Sequence, residues 1–150
     1  MIHYRTGSLF QQKDAVLTNT VNCVGKMGKG IAKSFKARYP EMFRDYEHRC
    51  MFGTVEPGVP YLWRYGGVTI LNFPTKNHWR DPSNLEWIQS GLNWIVDANK
   101  RGEFDRIALP ALGCSNGGLD WTVVESMIVT TLGAANGLTV YLYPLGSENT

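Results

Sequence analysis

Long apolar runs are missing from this sequence of 150 residues, and no stretch reaches the length that crosses a bilayer. The opening MIHYRTG lacks the basic-then-apolar layout of a secretory signal. Cysteine is scarce: Cys23, Cys50 and Cys114 are odd in number and show no CxxC spacing. That argues against a disulfide framework or a zinc site, so a reducing cytoplasm is the expected setting and neither metal nor cofactor is expected. The formal charge is +2, too small to indicate nucleic acid by itself. Internal repeats, low-complexity tracts and an obvious linker are also absent.

The chain that remains is ordinary in composition, with 43% hydrophobic and 12% aromatic residues. It is most simply one domain over residues 1–150, long enough to bury a substantial core. Ile2 to Arg5 reads as a short strand, and Ala15 to Val21 as a buried one. A glycine loop and a helix from Ile31 follow, ending near Arg38 because Pro40 disfavours helical geometry at Tyr39. Pro40 starts a second helix carrying Met42, Phe43, Tyr46 and Cys50, with Gly53 beyond its end. Tyr61 to Tyr65 and Val68 to Phe73 form a hairpin at Gly66-Gly67. Ser83-Asn84-Leu85-Glu86 has the pattern of a capping box before a helix with Leu85, Ile88, Leu92, Ile95 and Val96 on one face. Arg106 to Leu109 is a strand. Asp120 caps a last helix with Val123, Val124, Met127, Ile128 and Leu132 inward, and Leu138 to Tyr143 closes the sheet. Strands alternating with helices predict an α/β fold with a mixed or parallel sheet covered on both faces.

Ligands of such sheets sit at the carboxyl ends of the strands. Three loops qualify: Asn22 to Gly30, Pro74 to Arg80 and Gly113 to Gly118. Thr18 to Lys33 is the most informative stretch. Gly25, Gly28 and Gly30 let main chain approach a ligand, and the helix start after them favours an anion. Asn22 stands beside that expected phosphate. Neither the P-loop pattern nor the dinucleotide fingerprint fits, since Ile31-Ala32 and Lys33 occupy the deciding positions. Of the local cations, Lys33 and Lys36 read as a solvated helix face, whereas Lys29 is placed to meet a ligand. In the loop Phe73-Pro74-Thr75-Lys76-Asn77-His78-Trp79-Arg80, His78 and Trp79 fit a plain loop cover and a ligand contact equally well. Lys76 is either a nucleophile, if desolvation or Arg80 lowers its pKa from ~10.4, or a fixed charge. Cys23 and Cys114 read as snug wall residues rather than catalytic thiols. No carboxylate lies inside the three loops, which argues against paired-carboxylate hydrolysis.

TNTVNCVGKMGKGIAKSFK, FPTKNHWR with SNLEWIQSGL, and LPALGCSNGGLDW together resemble a macrodomain, of the DNA ADP-ribosyl glycohydrolase (DarG antitoxin) type. The resemblance covers essentially the whole chain and implies a three-layer α/β/α fold with a mixed central sheet that binds ADP-ribose. It implies that Asn22 meets the distal ribose, that Gly28, Lys29, Gly30 and Ile31 face the diphosphate from one side, and that Lys76 is catalytic. Ser115, Asn116, Gly117, Gly118 and Leu119 face the diphosphate from the other side. Val21, Cys23, Thr75, His78, Trp79, Arg80, Leu112, Gly113 and Cys114 complete the expected binding set. The implied reaction removes ADP-ribose from thymidine in single-stranded DNA and so reverses a partner DNA ADP-ribosyltransferase toxin. Two other activities are compatible: an ADP-ribose-1″-phosphate phosphatase, or a non-catalytic ADP-ribose reader.

This sequence departs from the wider family in three places. The assisting aspartate of related glycohydrolases falls at or near Gly117. Ser8 replaces the adenine-binding aspartate of many macrodomains, leaving the base to looser or backbone contacts. Ser115 replaces a glycine and is expected to narrow the phosphate loop. Full-length antitoxins of this type carry a further toxin-binding region that the sequence to Thr150 does not include, as in an excised domain or a stand-alone protein.

Overall fold

A computed structural model describes residues 1–147. Its strands are Ile2–Tyr4 (β1), Val16–Val21 (β2), Tyr61–Tyr65 (β3), Val68–Pro74 (β4), Arg106–Leu109 (β5) and Thr139–Leu142 (β6). The helices are Gly30–Arg38 (α1), Pro40–Met51 (α2), Leu85–Lys100 (α3) and Trp121–Gly133 (α4), with a 3-10 turn at Leu9–Gln11. The strands form one sheet in the order β1-β6-β5-β2-β4-β3. Every neighbouring pair is parallel except the β3–β4 hairpin, so the sheet is mixed as expected. That hairpin turns at Gly66 and Gly67, both at positive φ as a type I′ turn requires.

Side-chain alternation along the strands builds two cores. On one face Leu71, Phe73, Leu109, Val140 and Leu142 pack with Ile88, Leu92 and Ile95 of α3 and Val124, Ile128 and Leu132 of α4. On the other, Leu17, Val21, Ile70, Ala108 and Tyr141 pack with Phe35 of α1 and Met42 and Tyr46 of α2. Helices therefore cover both faces, completing three layers. No helix is long and apolar enough to cross a membrane, among the described residues.

Three local expectations are corrected. Asn84, not Ser83, caps α3, its side chain accepting from the N–H of Glu86 at 2.7 Å. Ser83 is instead buried, because its main-chain N–H is committed to the carbonyl of Gly117. Leu85 and Val123 are exposed rather than inward, Leu85 as the first residue of α3 and Val123 as the third of α4.

Gly91 of α3 has a packing role. A Cβ there would overlap the ring of Phe73, so the glycine lets α3 lie against β4. Gly91→Ala is expected to destabilise the protein by about 1–3 kcal/mol, overpacking outweighing the better helix propensity. Urea denaturation checks this, and an unchanged or raised midpoint would contradict the packing.

Candidate functional site

Because β6, β5, β2 and β4 lie side by side and run the same way, the segments leaving all four emerge at one rim of the sheet. They wall a cleft of about 1150 Å³, slightly above the ordinary ~300–1,000 Å³ of small-molecule sites.

The segment after β2 is organised by Asn22. Its Oδ1 accepts from the N–H groups of Val24 at 3.0 Å and Lys26 at 3.4 Å, and its Nδ2 donates to the carbonyl of Lys26 at 2.8 Å. This ties residues 22–26 into a closed turn. Met27 then plugs into the core, 3% exposed, where its sulfur meets Nδ2 of Asn19. Gly28, Lys29 and Gly30 are left outside, lining the cleft. Gly30 sits at φ +58°, and no side chain caps α1 behind it. Its first-turn N–H groups are open to an anion. By contrast α4, beyond the second glycine loop, is capped by its own Asp120.

The segment after β4 is tied to the first. The N–H of Thr75 donates to the carbonyl of Val21 at 3.0 Å, and that of Cys23 to the carbonyl of Asn77 at 2.8 Å. Between these ties stands Lys76, half-buried, with Nζ 3.3 Å from the carbonyl oxygen of Trp79 and 3.4 Å from that of Asn116. One amine thus bridges two loops. Its pKa is lowered from the usual lysine value, first by desolvation and second by the charge of Lys29, while Asp81 pulls weakly the other way. Arg80 lies over the Trp79 ring at 4.5 Å.

The segment after β5 is held from behind. A Cβ on Gly117 would overlap Ser83 Oγ and the carbonyl oxygen of Gly113, so this loop has no room for a carboxylate at 117. Asn116 reaches across to α1, its Nδ2 within 3.0 Å of where a Cβ on Gly30 would stand. The two glycine loops therefore meet over the cleft.

Fourteen of the expected residues line this cleft: Val21, Asn22, Gly28, Lys29, Gly30, Ile31, Thr75, Lys76, Trp79, Arg80, Gly113, Ser115, Asn116 and Gly117. Six do not. Leu112 and Cys114 turn into the α3–α4 core and Leu119 packs against it. Cys23 points to the carbonyl of Lys76, Sγ at 3.6 Å, and Gly118 lies outside the lining. His78 also lies outside, its Nδ1 accepting from the N–H of Arg80 and its ring stacked on Trp79. Burial pushes the Cys23 thiol up to about 12 and the Cys114 thiol to about 11, so both stay protonated at neutral pH, as wall residues should. Ser8 is also away from the lining and caps the 3-10 turn through the N–H of Phe10.

Lys26, Lys33 and the segment after β6 are among the contributors that were not anticipated. Lys33 lines the cleft instead of facing plain solvent, whereas Lys36 lies over the Phe43 ring at 4.3 Å. Pro144 to Ser147, leaving β6, form a fourth wall. The strand-end rule pointed to that segment, with Pro144 and Gly146 as its turn signals. The lining holds five cations, Lys26, Lys29, Lys33, Lys76 and Arg80, and no Asp or Glu among the described residues.

An α/β/α sandwich whose parallel-strand exits enclose a cationic cleft, with no acid among its described lining residues, suits an anionic ligand. The chain belongs to the Macro domain family, whose model matches residues 18–128. It is 43% identical over 148 residues to the DNA ADP-ribosyl glycohydrolase of Mycobacterium tuberculosis, covering 96% of this chain and 42% of that protein. The solved macrodomain of Mycobacterium tuberculosis DarG matches with a TM-score of 0.92 at 43% identity, over 96% of this chain and 97% of that one. Thermosipho africanus DarTG, solved in complex with ADP-ribose, matches with a TM-score of 0.89 at 32% identity, over 99% of this chain and 43% of that one. The chain spans less than half the length of the curated relatives it matches over most of its own length.

Lys29 helps hold the Lys76 pKa down, so Lys29→Met is expected to raise it toward the ordinary value. An NMR titration of the lysine Nζ signals reads this directly. A Lys76 pKa that stays put or falls in the variant would contradict the coupling.

Proposed function

We propose that this chain is an ADP-ribosyl glycohydrolase that releases ADP-ribose from thymidine in single-stranded DNA, in opposition to a DNA ADP-ribosyltransferase partner. The observation that carries the proposal is Lys76, half-buried in a cleft lined by four other cations and, among the described residues, by no carboxylate. The glycine loops and the open start of α1 suit a diphosphate. In this reading Asn22 and Lys76, which both line the cleft, serve the sugar attached to the DNA base. The 43% identity to the Mycobacterium tuberculosis enzyme supports the same assignment.

The lowered pKa gives Lys76 a larger neutral fraction than an exposed lysine has, as a nucleophile needs. Its lone pair forms a bond to the anomeric carbon while the bond from that carbon to the thymine nitrogen breaks. The base leaves with the bonding electrons and takes a proton from the amine nitrogen, which became positively charged on attack. Water then bonds to the anomeric carbon as the carbon–lysine bond breaks, and one of its protons passes to the departing amine nitrogen, which frees ADP-ribose and restores Lys76. The proton source in this scheme is the nucleophile itself, consistent with a lining that holds no Asp or Glu among the described residues. The surplus cations suit the phosphates that flank the modified nucleotide, and binding of the DNA strand should weaken with added salt. The three free cysteines fit a cytoplasmic setting.

Lys76→Ala is expected to slow ADP-ribose release from an ADP-ribosylated thymidine oligonucleotide by a factor on the order of 10³ or more. ADP-ribose binding should persist, because the main-chain contacts remain. An undiminished rate ends this reading. Phosphate release from ADP-ribose-1″-phosphate with no turnover of the DNA would replace it with a phosphatase. ADP-ribose binding without any turnover would replace it with a reader.

A further inference from the structure

Tyr46 of α2 is fully buried among Met42, Phe35 and Val21, and its ring reads as core. Its hydroxyl does something more specific. It stands 2.7 Å from Oδ1 of Asn22 and 2.9 Å from the main-chain oxygen of the same residue. With the N–H groups of Val24 and Lys26, three donors converge on that single Oδ1. An amide oxygen so surrounded faces the protein, and the NH₂ end is turned the other way. One of its two N–H groups is committed to the carbonyl of Lys26 at 2.8 Å. The other has no protein acceptor among the described residues, and Asn22 lines the cleft.

We propose that Tyr46 is a positioning residue: its hydroxyl fixes the Asn22 amide so that Asn22 offers the cleft one N–H donor and no acceptor. The group it reads is then a lone-pair oxygen, such as a sugar hydroxyl or ring oxygen. This inference rests on the cleft being the ADP-ribose site. Two main-chain donors remain on Oδ1 without Tyr46, so its loss loosens the amide rather than freeing it. Phenylalanine at 46 would keep the ring packing and delete only the hydroxyl.

A double-mutant cycle read by calorimetry with ADP-ribose tests the proposal. Tyr46→Phe is expected to weaken binding about 3- to 10-fold, in line with the loss of one buried hydrogen bond. In an Asn22→Ala background the same change should weaken binding clearly less than in the wild type, because only the bond to the main-chain oxygen of residue 22 is then left to lose. Additive losses, or no loss from Tyr46→Phe alone, would overturn the assignment. Side-chain amide exchange in the wild-type protein provides a check that depends on no variant. One Asn22 Nδ2 proton should exchange slowly in the free protein, and the second should become protected only when ADP-ribose is added. Two slow protons before addition, or no change after it, would also overturn it. If the wild type gives no heat with ADP-ribose, the reading of the cleft fails and this inference falls with it. An error confined to Tyr46 instead shows normal wild-type binding with additive variants.

Discussion

Asn19 and Asn72 face each other across β2 and β4, and the 3.1 Å bond between their amides is a polar pin in the interior of the sheet. Both are fully buried, so this pairing has no alternative in water and selects one register. A one-residue slip of either strand would send its own amide toward the α3–α4 core and away from its partner. Asn72 extends the pin to the hydroxyl of Tyr61 and the sulfur of Met42, and Asn19 extends it to the sulfur of Met27. The network thereby couples strand register to the seating of the first glycine loop. With β2 set between β4 and β5, the exits of all three strands are fixed at one rim. Lys76 can then reach the carbonyl of Asn116, 40 residues away in sequence.

The cleft separates two tasks by chemistry. Main chain and glycine provide shape: Gly30 accepts the approach of Asn116, and Gly117 gives way to Ser83. Lysine and arginine provide charge, on flexible stems that adapt to where phosphates lie. Lys76 belongs to both groups, because its amine is held by two carbonyl oxygens rather than by a counter-ion. A carboxylate partner would have raised its pKa. Carbonyl dipoles orient it at a smaller electrostatic cost to the neutral form.

Much of this was legible from residue pattern. Glycines after apolar strands marked the two phosphate-type loops. Pro40, Gly66-Gly67 and Asp120 marked element ends through backbone geometry that few other residues satisfy. What remained hidden depended on direction. Leu112, Cys114 and Leu119 sit in the right loop but turn inward, since successive residues of a tight loop face opposite sides. Ser83 and Asn84 are both good caps at adjacent positions, and only the tertiary demand of the Gly117 carbonyl assigns one to the helix and the other to the loop. Lys33 has the period of a solvent face. Periodicity gives the face of a helix without saying that a cleft lies in front of it. Pro144 to Ser147 carry neither charge nor a repeated glycine pattern, and their role follows from β6 lying beside β5.

Five like charges with no acid among the described lining residues leave the empty cleft in electrostatic tension with itself. Small mobile anions from the solvent are drawn in to relieve it, so a ligand arrives by exchange with a loosely held ionic atmosphere rather than into bare water. Coulomb attraction then favours every phosphate compound in a cell almost alike. Discrimination among them must fall to the uncharged parts of the wall, the glycine contours and the oriented amide of Asn22.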